Sequence, residues 1–168
     1  MSDRLAVMMD GEIIQLGTPE EIYHNPQDRR VAEFIGSPKI NFLDGEVDSS
    51  GNVRVMGSDT GIRINKKVER VQFGVRPEHF SMVNGNEKNG QGNWPFKVTH
   101  KENLSSDYYL HGHINGSSNR VIARAKPEEV NNITLGAEIM LQVQHGTSMV
   151  FGTENIRIDS TEDHIGSA

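Results

Sequence analysis

The chain has 168 residues, room for one sizeable domain or two small ones, and its 35% of apolar residues with interspersed charges describe a folding, globular polypeptide. Its 23 acidic against 17 basic residues, net charge of −6 and pI near 5.6 exclude an electrostatic nucleic-acid surface, because Arg29-Arg30, Lys66-Lys67 and the separated Arg120 and Arg124 never form a basic stripe. Cysteine is absent, which removes disulfides, thiolate nucleophiles and cysteine-based zinc sites, and no window reaches the roughly 18 apolar residues of a membrane helix.

In chain order, Leu5 to Met9 and Glu12 to Leu16 flank Asp10-Gly11, a pair suited to the positive φ angles of a type I′ hairpin. Thr18-Pro19-Glu20-Glu21 then supplies an N-cap hydroxyl, a proline at the first helical position and a glutamate three residues after the cap, which predicts a short helix through Tyr23. Pro26 breaks it. A second helix from about Gln27 is expected to bury Val31, Phe34 and Ile35 before Gly36 ends it and Ser37-Pro38 prevents its continuation. Residues 1–36 therefore read as a short α+β segment, a hairpin plus two short helices.

From Phe42 the pattern changes to short apolar runs between Gly, Asn, Ser and Asp: Gly45–Asp48, Val53–Met56, Ile62–Ile64, Val71–Val75, Phe96–His100, Tyr108–Ile114, Arg120–Arg124, Ile139–Val143 and Met149–Phe151. Helical periodicity is missing, and such spacing predicts a β-barrel or sandwich. The polar, glycine-rich insert 84–93 reads as a mobile loop or a seam between two β subdomains, and the tail 159–168 is expected to fray. Trp94-Pro95-Phe96 is expected to start a strand and cap a barrel end.

Several of these segments carry a resemblance. Ser2 to Met8, followed by Gly11 to Pro19, resembles the last strands of an ABC nucleotide-binding domain. Tyr23 to Pro26 and Phe34 to Leu43 are similar to the linker helices and first barrel strand of sugar-importer ABC ATPases of the maltose or glycerol-phosphate type. Val75-Arg76-Pro77-Glu78-His79 is similar to an arginine-proline-glutamate-histidine element of that subclass. The likeness is dense through residue 43, specific again at 74–80 and thin afterwards; Leu104-Ser105-Ser106-Asp107 lacks the glycine of the corresponding family turn. The resemblance implies a mainly β fold, an OB-like (TOBE) β-barrel over 37–158 that follows the end of a nucleotide-binding domain and its linker helices at 1–36.

The resemblance stops short of the ATPase. A phosphate cradle needs backbone N–H groups of a glycine-rich loop followed by Lys and Ser/Thr, and no Gly-x-x-x-x-Gly-Lys-Ser/Thr occurs; neither does a strand ending in Asp-Glu nor a Ser-Gly-Gly-Gln signature. The chain is accordingly expected to be no enzyme. It has no catalytic residues and no cofactor of its own, ATP and magnesium belonging to the full-length family, and it is expected to be an expressed fragment, a split gene or the product of an internal start. Val98-Thr99-His100-Lys101-Glu102 imitates the family's switch-histidine segment, but it lies downstream of the Arg76–His79 element, so His100 reads as a surface strand residue.

Among candidate sites, His111 and His113 are two apart and on a strand share a face, the geometry of two metal ligands; lacking a third ligand they read as solvated or partner-facing imidazoles, with metal binding the weaker alternative. Arg76, Glu78 and His79 around Pro77 read as a salt-bridged corner locking two β elements or as a regulatory or dimer contact. Phe34, Gly36, Ser37, Pro38, Asn41 and Phe42, with Ile35, Ile40 and Leu43, read as the docking residues of the domain junction. The function the resemblance implies is that of a regulatory and dimerisation domain: a homodimer through the barrel, partnered by the nucleotide-binding domain and permease subunits, cytoplasmic and peripheral to the inner membrane face, without nucleic acid. The alternative is a module sensing a small oxyanion or metal ion.

Overall fold

The computed structural model describes residues 3–36, 39–83, 93–114 and 119–162. Ser37 and Pro38 of the expected hinge, residues 84–92 of the polar insert and the end of the tail lie outside the described residues.

The lead-in folds as its punctuation dictates. Strands β1 (Leu5–Met9) and β2 (Glu12–Gly17) pair antiparallel, and Asp10 and Gly11 between them take φ of 51° and 80°. Helix α1 (Pro19–His24) begins with the full capping box: Thr18 Oγ1 accepts from Glu21 N at 3.1 Å, and Thr18 N donates back to Glu21 Oε2 at 3.4 Å. Helix α2 (Arg29–Phe34) is capped by Asp28, whose carboxylate accepts from Arg30 N at 2.8 Å and pairs with the Arg30 guanidinium at 2.9 Å. Val7, Ile22 and Val31, with Met9, Ile14 and Ile35 against them, form a small core of their own.

Phe34 corrects one expectation. It is 71% exposed and does not dock. The buried face of α2 is centred between Val31 and Ala32, and at about 100° per residue this turns Phe34 about 110° away from that centre. The helix then ends, Ile35 being extended, before a second turn can bring another large side chain inward.

The remaining described strands form two sheets. One has seven strands in the order β13-β12-β6-β3-β4-β5-β14, from β3 (Asn41–Val47), β4 (Asn52–Val55), β5 (Ser58–Ile64), β6 (Arg70–Val75), β12 (Met149–Phe151), β13 (Arg157–Ile158) and β14 (Ser160–Glu162). The other has five in the order β10-β9-β8-β11-β7, from β7 (Phe80–Val83), β8 (Asn93–Asn103), β9 (Tyr108–Ile114), β10 (Arg120–Ala125) and β11 (Glu138–Val143). A one-turn helix, α3 (Pro127–Val130), follows β10. In the five-stranded sheet β10 curls back beside β7, so the sheet comes near closure as a barrel. Residues Ser160–Glu162, expected to fray, instead pair with β5, whose edge gives the tail a ladder to join.

One apolar core fills the space between the sheets. Leu43, Val53, Ile62 and Phe73 from the seven-stranded sheet meet Phe96, Leu110, Ile114 and Leu141 from the other. Trp94, expected at a barrel end, is 1% exposed in this core; its Nε1 donates to Val55 O at 3.2 Å across the sheets, and its ring lies 6.1 Å from Phe73. On the outer side of the seven-stranded sheet, Ala32 of α2 packs with Ile40, Met149 and Phe151, which joins the lead-in to the barrel. The lead-in is also tied to the C-terminal part of the described chain: Arg29 N donates to Asn155 O at 2.7 Å, Arg157 N to Gln27 O at 2.9 Å, and Arg157 Nη1 to Pro26 O at 3.2 Å.

Candidate functional site

The Arg76–His79 element sits where all three parts of the molecule meet. β6 ends at Val75, Arg76 is extended, and Pro77 opens a single 3-10 turn closed by His79 N donating to Arg76 O at 2.9 Å. The fixed φ of Pro77 turns the chain from the seven-stranded sheet into β7 of the five-stranded one.

Arg76 points inward. It is 1% exposed, and its Nη1 donates to Ile35 O at 2.9 Å and its Nη2 to Tyr23 O at 2.8 Å, while the guanidinium carbon lies 3.9 Å from the centroid of the Tyr23 ring. No carboxylate pairs with Arg76 among the described residues, and its Nε, also buried, has no hydrogen-bond partner there. The expected salt-bridged corner between β elements is therefore a different device: a buried cation held by helix-end carbonyls and an aromatic face, joining the lead-in to the barrel. Loss of water pushes the guanidinium down to about 10, which leaves it charged at neutral pH. The carbonyls of Tyr23 and Ile35 lie at the ends of α1 and α2, where orphan acceptors need donors.

Neighbouring residues fit this use. Gly36 has φ of +116°, and a Cβ there would stand 2.9 Å from Arg76 Nη1. The Tyr23 hydroxyl donates to the Glu78 carboxylate. His79 is half-buried with its Nδ1 unpartnered among the described residues; burial, then the nearby Arg76 and His24 cations, hold its pKa below the ordinary histidine value against the opposing pull of Glu78. Gln144 N donates to His79 O at 2.9 Å, which attaches the corner to the loop after β11.

Asn41 forms the second joint. Buried at 6% exposure, its Nδ2 donates to Val75 O at 3.1 Å and to Ile122 O at 2.8 Å, and its Oδ1 accepts from Ile122 N at 2.9 Å. One amide side chain thus takes the place of a strand at the outer edge of β10. Phe42 stacks edge-on against Phe151 at 6.0 Å and under Arg29 at 4.5 Å. Of the junction residues picked from sequence, Gly36, Asn41 and Phe42 lie at the joint with Arg76, and Phe34 does not. Tyr23, Ile122 and Arg29 were not picked as site residues; only Tyr23, an aromatic just ahead of Asn25-Pro26, left a sequence signal.

The histidines occupy the outer face of β8 and β9. His111 and His113 share a face, as period two requires, but they have separate partners: His111 Nε2 lies 3.0 Å from Glu102 Oε2 and His113 Nδ1 3.2 Å from Asn119 O. A bulge between Val98 and His100 sets exposed His100 opposite His111, with ring centroids 5.4 Å apart. Among the described residues no three His, Asp or Glu side chains are placed to hold a metal ion, and no helix is long and apolar enough to cross a membrane.

Comparison with known proteins bears on the same segment. Residues 36–80 match the family described as the MalK OB fold domain. The sn-glycerol-3-phosphate import ATP-binding protein UgpC of Yersinia enterocolitica is 32% identical over 168 residues, covering 95% of this chain and 45% of that protein. The ABC transporter ATP-binding protein YurJ of Bacillus subtilis is 35% identical over 124 residues, covering 66% and 34%. The chain spans less than half the length of these relatives, and the matched stretch is their C-terminal part. Among solved structures, the cytoplasmic molybdate-binding protein ModG with molybdate bound superposes with a TM-score of 0.48 at 11% identity, covering 66% of this chain and 94% of that one.

Proposed function

Because the chain belongs with the C-terminal OB-fold regions of ABC-importer ATP-binding subunits, we propose that it is the regulatory and dimerisation module of such a subunit, without ATPase activity of its own, serving import of a carbohydrate-class solute. It acts at the cytoplasmic face of the membrane beside the nucleotide-binding domain and permease subunits. The observation that supports this reading is the construction of the junction at Arg76. A nucleotide-binding domain continuous with β1 and β2 would be coupled to the barrel through a buried guanidinium, two carbonyl bonds and the Asn41 clip, so that barrel position and ATPase position move together. Two barrels in contact would then hold two ATPase halves at high effective concentration without touching ATP. Sedimentation velocity of the chain across micromolar concentrations tests the pairing. A concentration-dependent dimer is expected, and a strict monomer at about 100 μM, far above the Kd of a functional interface, counts against it.

A further inference from the structure

Residues 155–162 bond in succession to three different parts of the molecule. Asn155 O accepts from Arg29 N at 2.7 Å, Ile156 bridges Asp28, and Arg157 N donates to Gln27 O at 2.9 Å, so this stretch runs antiparallel to the linker between α1 and α2. β13 then pairs with β12, Arg157 opposite Phe151 and Ile158 opposite Val150. β14 pairs with β5, Ser160 opposite Ile64 and Thr161 opposite Arg63.

β13 and β14 are the two end strands of the seven-stranded sheet, yet Asp159 alone separates them in the chain. The sheet therefore curls until β12 and β5 come within reach of one segment, and residues 157–162 close the seam between them. Closure removes two strand edges that would otherwise stand open. Its two halves are unequal. Ile158, 5% exposed, is anchored in the main core, whereas Ser160 and Thr161 are exposed and β14 is held by its ladder to β5. A three-residue strand held in this way opens at low cost, so β14 is where the seam gives first.

From this arrangement we infer that residues 155–162 are a latch: with the lead-in seated on 155–157 the barrel seam is closed, and with it lifted β14 leaves β5 and the seam opens. The physical reason is connectivity. Two backbone bonds, the Asp28 bridge and the bond from Arg157 Nη1 to Pro26 O fix the strap to the lead-in, and Asp159 carries that register directly into β14. A shift of the lead-in moves Arg157 and the crossing point with it. The latch deepens the function proposed above, since its use by a nucleotide-binding domain rests on that reading. The latch itself belongs to the single chain, so its failure leaves the sedimentation outcome untouched.

Amide hydrogen exchange of the 168-residue chain tests it. Arg29→Pro removes the donor to Asn155 O, and it stands at the first position of α2 after an extended Asp28, where proline suits a helix. Arg29→Ala keeps that N–H and loses the same contact with Phe42, so comparing the two variants isolates the bond. Exchange at residues 62–64 and 160–162 should be about fivefold faster in Arg29→Pro than in Arg29→Ala, with the β3–β6 ladder equal in both. Coupling of this kind is reciprocal. Ser160→Pro/Thr161→Pro removes two successive N–H groups, one of which must face β5, and should speed exchange at Arg29 and Arg157 by a similar factor; it decides alone if Arg29→Pro does not fold. Equal exchange at 62–64 and 160–162 in the two Arg29 variants overturns the latch. So does acceleration that extends to the β3–β6 ladder, or lead-in amides untouched by the β14 prolines.

Discussion

The corner at Arg76 and the strand pair β8–β9 both enter the sequence as clusters of charged and imidazole side chains, and they end in opposite environments. At the corner a proline halts β6 and aims a guanidinium into the molecule, where backbone carbonyls and a tyrosine ring take it up. On β8–β9 the histidine side chains lie on the outer face of a ladder interrupted by one bulge, and the structural demand falls on the glycine between His111 and His113. A cluster's chemistry is therefore set by which way the backbone turns it, not by its composition.

The sharpest way to break that contrast is Arg76→Ala. It leaves the Tyr23 and Ile35 carbonyls without a donor and removes the aromatic contact, which should cost about 4 kcal/mol in urea unfolding. A loss below about 1 kcal/mol would reduce the corner to the level of a surface contact. On the other side, Gly112→Ala should cost about 3 kcal/mol, since a Cβ there would lie 1.9 Å from Lys97 O and must force β8 from β9. His111→Ala beside it should cost less, about 1 kcal/mol, because its half-buried ring loses only an exposed Glu102 partner and the contact with His100. Equal losses at the two positions would show that the outer face carries as much of the fold as the close approach at Gly112.

The smallest expected effect is one of pH. The fold holds His79 below its ordinary value, so the unfolded chain binds the proton first, and the stability His79 contributes is present above about 6.5 and lost as pH falls toward the folded value. The urea midpoint should fall between pH 7.5 and 5.5, and fall less in His79→Gln. Parallel curves for the two proteins would assign the pH dependence to other histidines.

Much of this was legible in advance because it is local. Asp10-Gly11 fixes a hairpin by its φ angles, Thr18 to Glu21 fix a helix start by two reciprocal bonds, and the runs from Gly45 to Phe151 mark strands by alternation. The corner was legible as a place through Pro77, but not as a buried joint, because the acceptors of Arg76 come from residues 41 and 53 positions away. The bond of Asn41 to Ile122 spans 81 positions and leaves no trace in either neighbourhood. β7, β13 and β14 are two to four residues long and owe their existence to the strands they pair with. The bulge that brings His100 opposite His111 is a matter of register, which composition does not carry. Phe34 was misplaced by reading a six-residue helix as though it had a full apolar stripe.

The hydrogen bonds from Pro26, Gln27 and Arg29 to residues 155–157 bear on how the protein is made. Synthesis runs from the N-terminus at roughly 5–20 residues per second. The helices at 19–34 leave the ribosome seconds before the loop that fastens them, and before the Met149 and Phe151 on which Ala32 rests. In that interval α2 has the small cluster of Val7, Ile22 and Val31 and, once β6 has emerged, the bond from Arg76 to Ile35 O to hold it. Its final seat is created only when residues 149–157 have been made, so a ribosome stalled ahead of residue 149 would present a barrel lacking β12 and a helix pair without its dock.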